Sequence, residues 1–174
     1  MADFLVKIVI VGDSFVGKSS FVERFVHDSC MEIRPPTMSF EFCTTYRRIF
    51  NKLSKIQIWD EAGQDRFRTS RSNAYYQAAH WIIIMYDITN AESFVRVTSK
   101  WLRELNNYYH NSSTKIIVGN KRDLELLRVV KREEGQKLAD NIGAAFCEVS
   151  AKSGENCEER MIDILWQEML KVKE

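Results

Sequence analysis

The chain has 174 residues, 25 lysines and arginines against 24 aspartates and glutamates, and a hydrophobic fraction of 45%. That length suits one domain spanning 1–174 with a hydrophobic core of its own, and the near-neutral balance gives no field to favour nucleic acid or an acidic membrane. The four cysteines (Cys30, Cys43, Cys147, Cys157) show no C-x-x-C spacing, which speaks against zinc or a disulfide framework and for the reducing cytoplasm.

Met1-Ala2-Asp3 lacks the basic start of a signal peptide, and Phe4 to Val11 reads as a buried strand rich in β-branched residues. Phe21, Val22, Phe25 and Val26 then recur at helical spacing, and Asp28 to Thr37, with both prolines of the chain, reads as an extended loop. Phe40–Phe50 and Leu53–Asp60 are expected to pair as an antiparallel hairpin turning near Asn51-Lys52. In its second strand Ile56 and Ile58 share one face, while Lys55, Gln57 and Trp59 share the other, which makes Trp59 a surface aromatic.

Glu61 to Asn73 is polar and irregular and leads to a short helix near Ala74–Ala79. Trp81–Asp87 is a core strand, too short to span a bilayer. Thr89-Asn90-Ala91-Glu92 has the form of a capping box, opening a helix with Phe94, Val97, Trp101, Leu102 and Leu105 on one stripe. A strand over Lys115–Gly119, a helix over Arg132–Asn141, a strand over Ala145–Val149 and a helix over Glu155–Val172 complete the chain, with Met161, Leu165 and Met169 in register on the last helix. Strands alternating with helices predict an α/β fold with a mostly parallel sheet, whose ligands bind beyond the strands' carboxyl ends. No linker, low-complexity tract or repeat divides it.

Four motifs fall at those ends. Gly12-Asp13-Ser14-Phe15-Val16-Gly17-Lys18-Ser19, between strand and helix, matches the phosphate-binding pattern G-x-x-x-x-G-K-[ST]. Such a loop turns its N–H groups inward at a helix N-terminus and makes a nest for phosphate oxygens. Lys18 would reach the β- and γ-phosphates, and the Ser19 hydroxyl would coordinate Mg²⁺. Asp60, ending a strand, is placed to hold the same ion, Gly63 can bring its N–H against a γ-phosphate, and Gln64 could orient an attacking water. In Asn120-Lys121-Arg122-Asp123, the Asp123 carboxylate can accept from both N1–H and the exocyclic amine of guanine, whereas adenine would leave a buried carboxylate unpaired. Ser150-Ala151-Lys152 could offer a backbone N–H to guanine O6.

Together the stretches GDSFVGKS, PPTMSFEF, WDEAGQDRFR, YDITNAESF, NKRDLE and EVSAKSGENCEE resemble the small GTPases of the Ras superfamily, and most of all the Rab family. The resemblance implies a P-loop NTPase G domain, a six-stranded mostly parallel sheet with one antiparallel edge strand, flanked by five helices. It implies a monomeric GDP/GTP switch that recruits effectors in vesicle traffic, served by an exchange factor and a GTPase-activating protein. Nucleotide contacts are then expected from Asp13 through Ser20, Thr37, Gly63, Asn120, Lys121, Asp123, Ser150, Ala151 and Lys152. Mg²⁺ falls to Ser19, Thr37 and Asp60, and catalysis to Gln64 and Lys18. Phe42, Trp59 and Tyr75 match the aromatic triad such proteins present to effectors.

The chain departs from the family pattern at several positions. Ser39 replaces a glycine, Glu61 a threonine, Gln77-Ala78 an Arg-Gly pair, and one residue more than usual separates Gln64 from Tyr75. Cys30 stands where an aromatic packs on the guanine, and Arg34 where an aromatic often covers the phosphates. The chain ends without the long tail and terminal cysteines that are prenylated in the family, so peripheral attachment to endomembranes would need such a tail. Three other readings stay open: a nucleotide-gated binding module in which Glu61 and the altered segment spoil Gln64, another branch of the Ras superfamily, and a phosphate-loop kinase in which the two base motifs would be idle.

Overall fold

The computed structural model describes residues 2–28, 41–49, 51–60, 79–108 and 113–171. Six strands form one sheet: β1 (Phe4–Gly12), β2 (Glu41–Ile49), β3 (Lys52–Asp60), β4 (Trp81–Asp87), β5 (Thr114–Asn120) and β6 (Ala145–Glu148), in the order β2-β3-β1-β4-β5-β6. Only β2 runs antiparallel, on β3, with Phe42 opposite Trp59; the other pairs are parallel. β4 is buried along its whole length, as expected for a central parallel strand covered on both faces, whereas β3 alternates. Asn51 takes a left-handed φ of 64° at the hairpin turn, a conformation asparagine tolerates.

Among the described residues five α-helical segments flank the sheet: α1 (Lys18–His27), α2 (Ala91–Arg96), α3 (Arg103–Tyr108), α4 (Arg132–Ile142) and α5 (Glu159–Lys171). A π-helical turn, Val97–Leu102, joins α2 to α3, and a 3₁₀ segment, Arg122–Leu127, follows β5. One face of the sheet packs Ile8, Ile10 and Ile83 against Phe21 and Phe25 of α1 and Met161 and Leu165 of α5. The other packs Val9, Val11, Ile82 and Ile84 against Val97, Trp101 and Leu105. The expected α/β sandwich is therefore present, with two cores on opposite faces of one sheet. Among the described residues no helix is long and apolar enough to cross a membrane.

Three local expectations need correction. The cap of α2 is Asn90, whose side chain accepts from Ser93 N, not Thr89; Asp87 has already taken both the N–H and the hydroxyl of Thr89, at 2.8 and 2.7 Å. The last helix begins at Glu159, four residues late, because Gly154 and Asn156 adopt left-handed φ of 86° and 59° and form turns instead. Trp59 is half-buried, leaning on the second core and on Phe42 at a centroid distance of 5.2 Å, while Phe42 is the exposed ring of the pair.

At Gly135 α4 packs closely on the sheet. A Cβ there would sit 2.5 Å from both Phe146 Cε2 and the Tyr86 hydroxyl. Alanine is the better helix former by about 1 kcal/mol, but relieving such overlap costs about 1–3 kcal/mol. We expect Gly135→Ala to be net destabilising in denaturant titrations; a rise in stability would show that α4 has room to move outward.

Candidate functional site

The strand ends of β1, β3, β4, β5 and β6 lie along one edge of the sheet, and the motif residues gather there. Gly17 precedes α1 with a left-handed φ of 97°, and a Cβ on it would overlap the Asn120 amide. Glycine is therefore required twice over, by conformation and by close approach. α1 has no side-chain N-cap, so its first N–H groups are presented at the mouth of the loop as anion donors.

Lys18 is 5% exposed and curls back so that Nζ donates to Gly12 O at 2.9 Å and Asp13 O at 2.8 Å. The Ser19 hydroxyl donates to Asp60 Oδ2, which brings together the start of α1 and the end of β3. Asp60 is buried, a position in which a carboxylate is costly unless a cation or donors face it. Phe15 holds a left-handed φ of 65° with its ring 68% exposed. Val16 is buried, and Ser14 and Ser20 are intermediate.

Asn120 ties the loops to one another. Its Nδ2 donates to Val16 O at 2.9 Å and its Oδ1 accepts from Ala151 N at 3.1 Å, all in the interior. Of the backbone N–H groups that Ser150-Ala151-Lys152 could offer to a base, that of Ala151 thus already has a partner. Asp123 accepts from Ser150 Oγ at 2.6 Å and lies exposed rather than buried, so the penalty for leaving it unpaired arises only when a base covers it. Lys121, at a left-handed φ of 69°, reaches Asp87 Oδ2 at 2.7 Å. Beyond the 3₁₀ segment Arg128 pairs with both oxygens of buried Glu148, at 2.7 and 2.8 Å, and with Glu125. Those carboxylates, Glu148 first, hold the guanidinium above its ordinary range.

Sequence reasoning missed two helical contributors. Arg24 of α1 donates to Ala151 O at 3.0 Å and Lys152 O at 2.6 Å, bracing the last motif; nothing in its spacing distinguishes it. Trp101, read as part of an apolar stripe, has its indole N–H 2.8 Å from Asp13 Oδ1. The signal was available, since a buried tryptophan needs an acceptor for that N–H. Thr37, Gly63, Gln64, Tyr75 and the departures at Cys30, Arg34, Ser39, Glu61, Gln77 and Ala78 lie outside the described residues.

A glycine-bearing loop between strand and helix, a lysine folded over it and a serine–aspartate pair beside it define a phosphate-loop nucleotide-binding protein. Comparison with known proteins narrows this. The Ras family model matches residues 7–170. "Ras-related protein RIC1" of Oryza sativa subsp. japonica is 46% identical over 156 residues, covering 90% of this chain and 76% of the relative. "GTP-binding protein YPTM1" of Zea mays is 44% identical over 160 residues, covering 92% and 76%. "Ras-related protein RABD1" of Arabidopsis thaliana is 43% identical over 162 residues, covering 93% and 78%. The chain belongs to the Ras family and is a small GTPase of the Rab type, which binds GTP and GDP and hydrolyses GTP. Neither the kinase reading nor that of a hydrolysis-impaired module is favoured.

Proposed function

We propose that residues 1–174 form one G domain whose nucleotide site is built by the loop at Asp13–Ser20 and the motifs at Asn120–Asp123 and Ser150–Lys152. The observation that carries this is that α1 opens with Lys18 and Ser19 side by side, the first bonded to Gly12 at the end of β1 and the second to Asp60 at the end of β3. Lys18 exchanges its loop carbonyls for β- and γ-phosphate oxygens when nucleotide enters, and the loop amides share the remaining charge. The Ser19 hydroxyl and Asp60 carboxylate are hard oxygen donors already side by side, which suits Mg²⁺, with Thr37 the expected third protein ligand. The ion, when bound, neutralises developing phosphate charge. Gln64 orients the attacking water, and turnover is slow until an activating protein supplies an arginine.

Asp123 selects guanine, and Ser150 aligns its carboxylate. Phe42 and Trp59, already in contact, make with Tyr75 the surface on which effectors read the nucleotide state in vesicle traffic. The domain works as a monomer, with an exchange factor and an activating protein as further partners. It acts in the cytoplasm, peripheral on endomembranes where a prenylated tail is present.

Asp123→Asn tests the base assignment. Xanthine carries a C2 carbonyl where guanine has an amine, so the new amide should favour xanthine nucleotides. Loss of charge-assisted hydrogen bonds of ~1.5–3 kcal/mol corresponds to GDP binding roughly 10- to 150-fold weaker. Unchanged GDP affinity would remove Asp123 from the base site.

A further inference from the structure

The phosphate loop carries an acidic residue, Asp13, in a nest meant for anions. Its carboxylate does not face solvent freely: the side chain is 17% exposed and is held by the helix that crosses the other face of the sheet. Arg96 Nε lies 3.2 Å from Asp13 Oδ2, and Trp101 Nε1 donates to Oδ1 at 2.8 Å, so each oxygen has its own donor. Glu92 pairs with the same guanidinium at 3.8 Å, and the Lys100 ammonium stands 4.6 Å from the centre of the Trp101 ring. Arg96 ends α2, and Trp101 belongs to the π-helical turn that follows it. A single wide turn of this kind within an α-helix is uncommon and often found at functional positions. Here Arg96 and Trp101 lie on either side of its first residues and converge on one carboxylate.

The backbone of Asp13 has its own task, because its carbonyl is one of the two that hold Lys18 Nζ. A tether on the Asp13 side chain therefore also steadies the lysine's seat. It also pairs the negative charge of the loop with a guanidinium. We propose that Arg96 and Trp101 are positioning residues for nucleotide retention: they clamp Asp13 to the α2–α3 helix and relieve its repulsion of the phosphates. This rests on the nucleotide-binding reading above and adds a determinant of release rate remote from any base or phosphate contact.

The test is release of a fluorescent GDP analogue from the whole chain. Arg96→Gln should speed release about fivefold, roughly 1 kcal/mol, and the excess should shrink as salt rises, because the pair is only partly screened from solvent. The decisive comparison repeats Arg96→Gln in the Asp13→Asn background, where the charge to be compensated is gone and the substitution should change release less than twofold. Trp101→Phe keeps an aromatic ring but deletes the N–H together with the pyrrole half of the indole, and should also speed release; should the cavity left by this buried side chain unfold the variant, the two Arg96 arms stand without it. Equal release from parent and Arg96→Gln would overturn the clamp, and so would an undiminished Arg96→Gln effect in the Asp13→Asn background. A parent chain that does not hold the analogue at all would overturn the nucleotide site itself, and the clamp with it.

Discussion

Lys18→Met should abolish nucleotide retention while leaving the nucleotide-free fold at least as stable as the parent. Two charge-assisted contacts to the β- and γ-phosphates, at ~1.5–3 kcal/mol each, amount to roughly 3–6 kcal/mol, or on the order of 10²–10⁴ in affinity. The folded chain without nucleotide responds in the opposite sense. There the lysine is 5% exposed and its ammonium rests on loop carbonyls at 2.9 and 2.8 Å, which repay part of its desolvation. Methionine fills similar space without that cost. Retained nucleotide by chromatography, and melting after nucleotide is stripped, are the two readings. Retention equal to the parent would mean that Lys18 serves the loop rather than the ligand. A large fall in the stripped protein's melting temperature would mean that its carbonyl contacts hold the loop in shape.

The second large effect is expected at Asn120, through the loops it joins. Asn120→Ala leaves the Val16 carbonyl and the Ala151 N–H without their partner at sites closed to water. At ~1–3 kcal/mol for each stranded group, the cost is roughly 2–6 kcal/mol, shared between stability and nucleotide affinity. Taken wholly in affinity this is roughly 30-fold to 10⁴-fold. Asn120→Asp separates the two bonds: a carboxylate can still accept from Ala151 but offers no hydrogen to Val16, and two oxygens would face each other. It should therefore be no better than alanine. GDP affinity within threefold of the parent for either variant, with an unchanged melting point, would show that the loops hold their places without this bridge.

What could be read from the chain, and what could not, follows the range of the forces involved. The run Trp81–Asp87 announces a strand covered on both faces, and the structure buries every residue of it. The four motifs could be placed at strand ends because each follows a β-rich run, and the sheet order brings those ends together. Partners distant in sequence were not legible. Asn120 looks like part of a base-reading motif, yet its side chain is spent on Val16 and Ala151. Thr89 suits a cap, but Asp87 competes for its hydroxyl and wins. The late start of α5 was partly legible, since Gly154 and Asn156 are the residues that adopt left-handed φ most readily. Arg24 and Trp101 reach the site through the packing of helices on a sheet, which no local pattern specifies.

The wide turn at Val97–Leu102 bears on how this chain tolerates changes of length. A ring closed by an i→i+5 bond holds one residue more than an α-helical ring, so such a turn absorbs an extra residue without rotating the helix on either side. Both flanks are pinned: Phe94 meets Tyr86 edge-on at a centroid distance of 4.9 Å, and Leu105 is buried in the same core. An insertion or deletion within α2 or α3 would swing one of those flanks out of the core. Loss of a single residue between Val97 and Trp101 would instead relax the turn to ordinary α-helix with both flanks in place. That stretch is where the helix can shorten by one and still fold, and the change would be registered at the opposite end of the indole, in how firmly Asp13 is held.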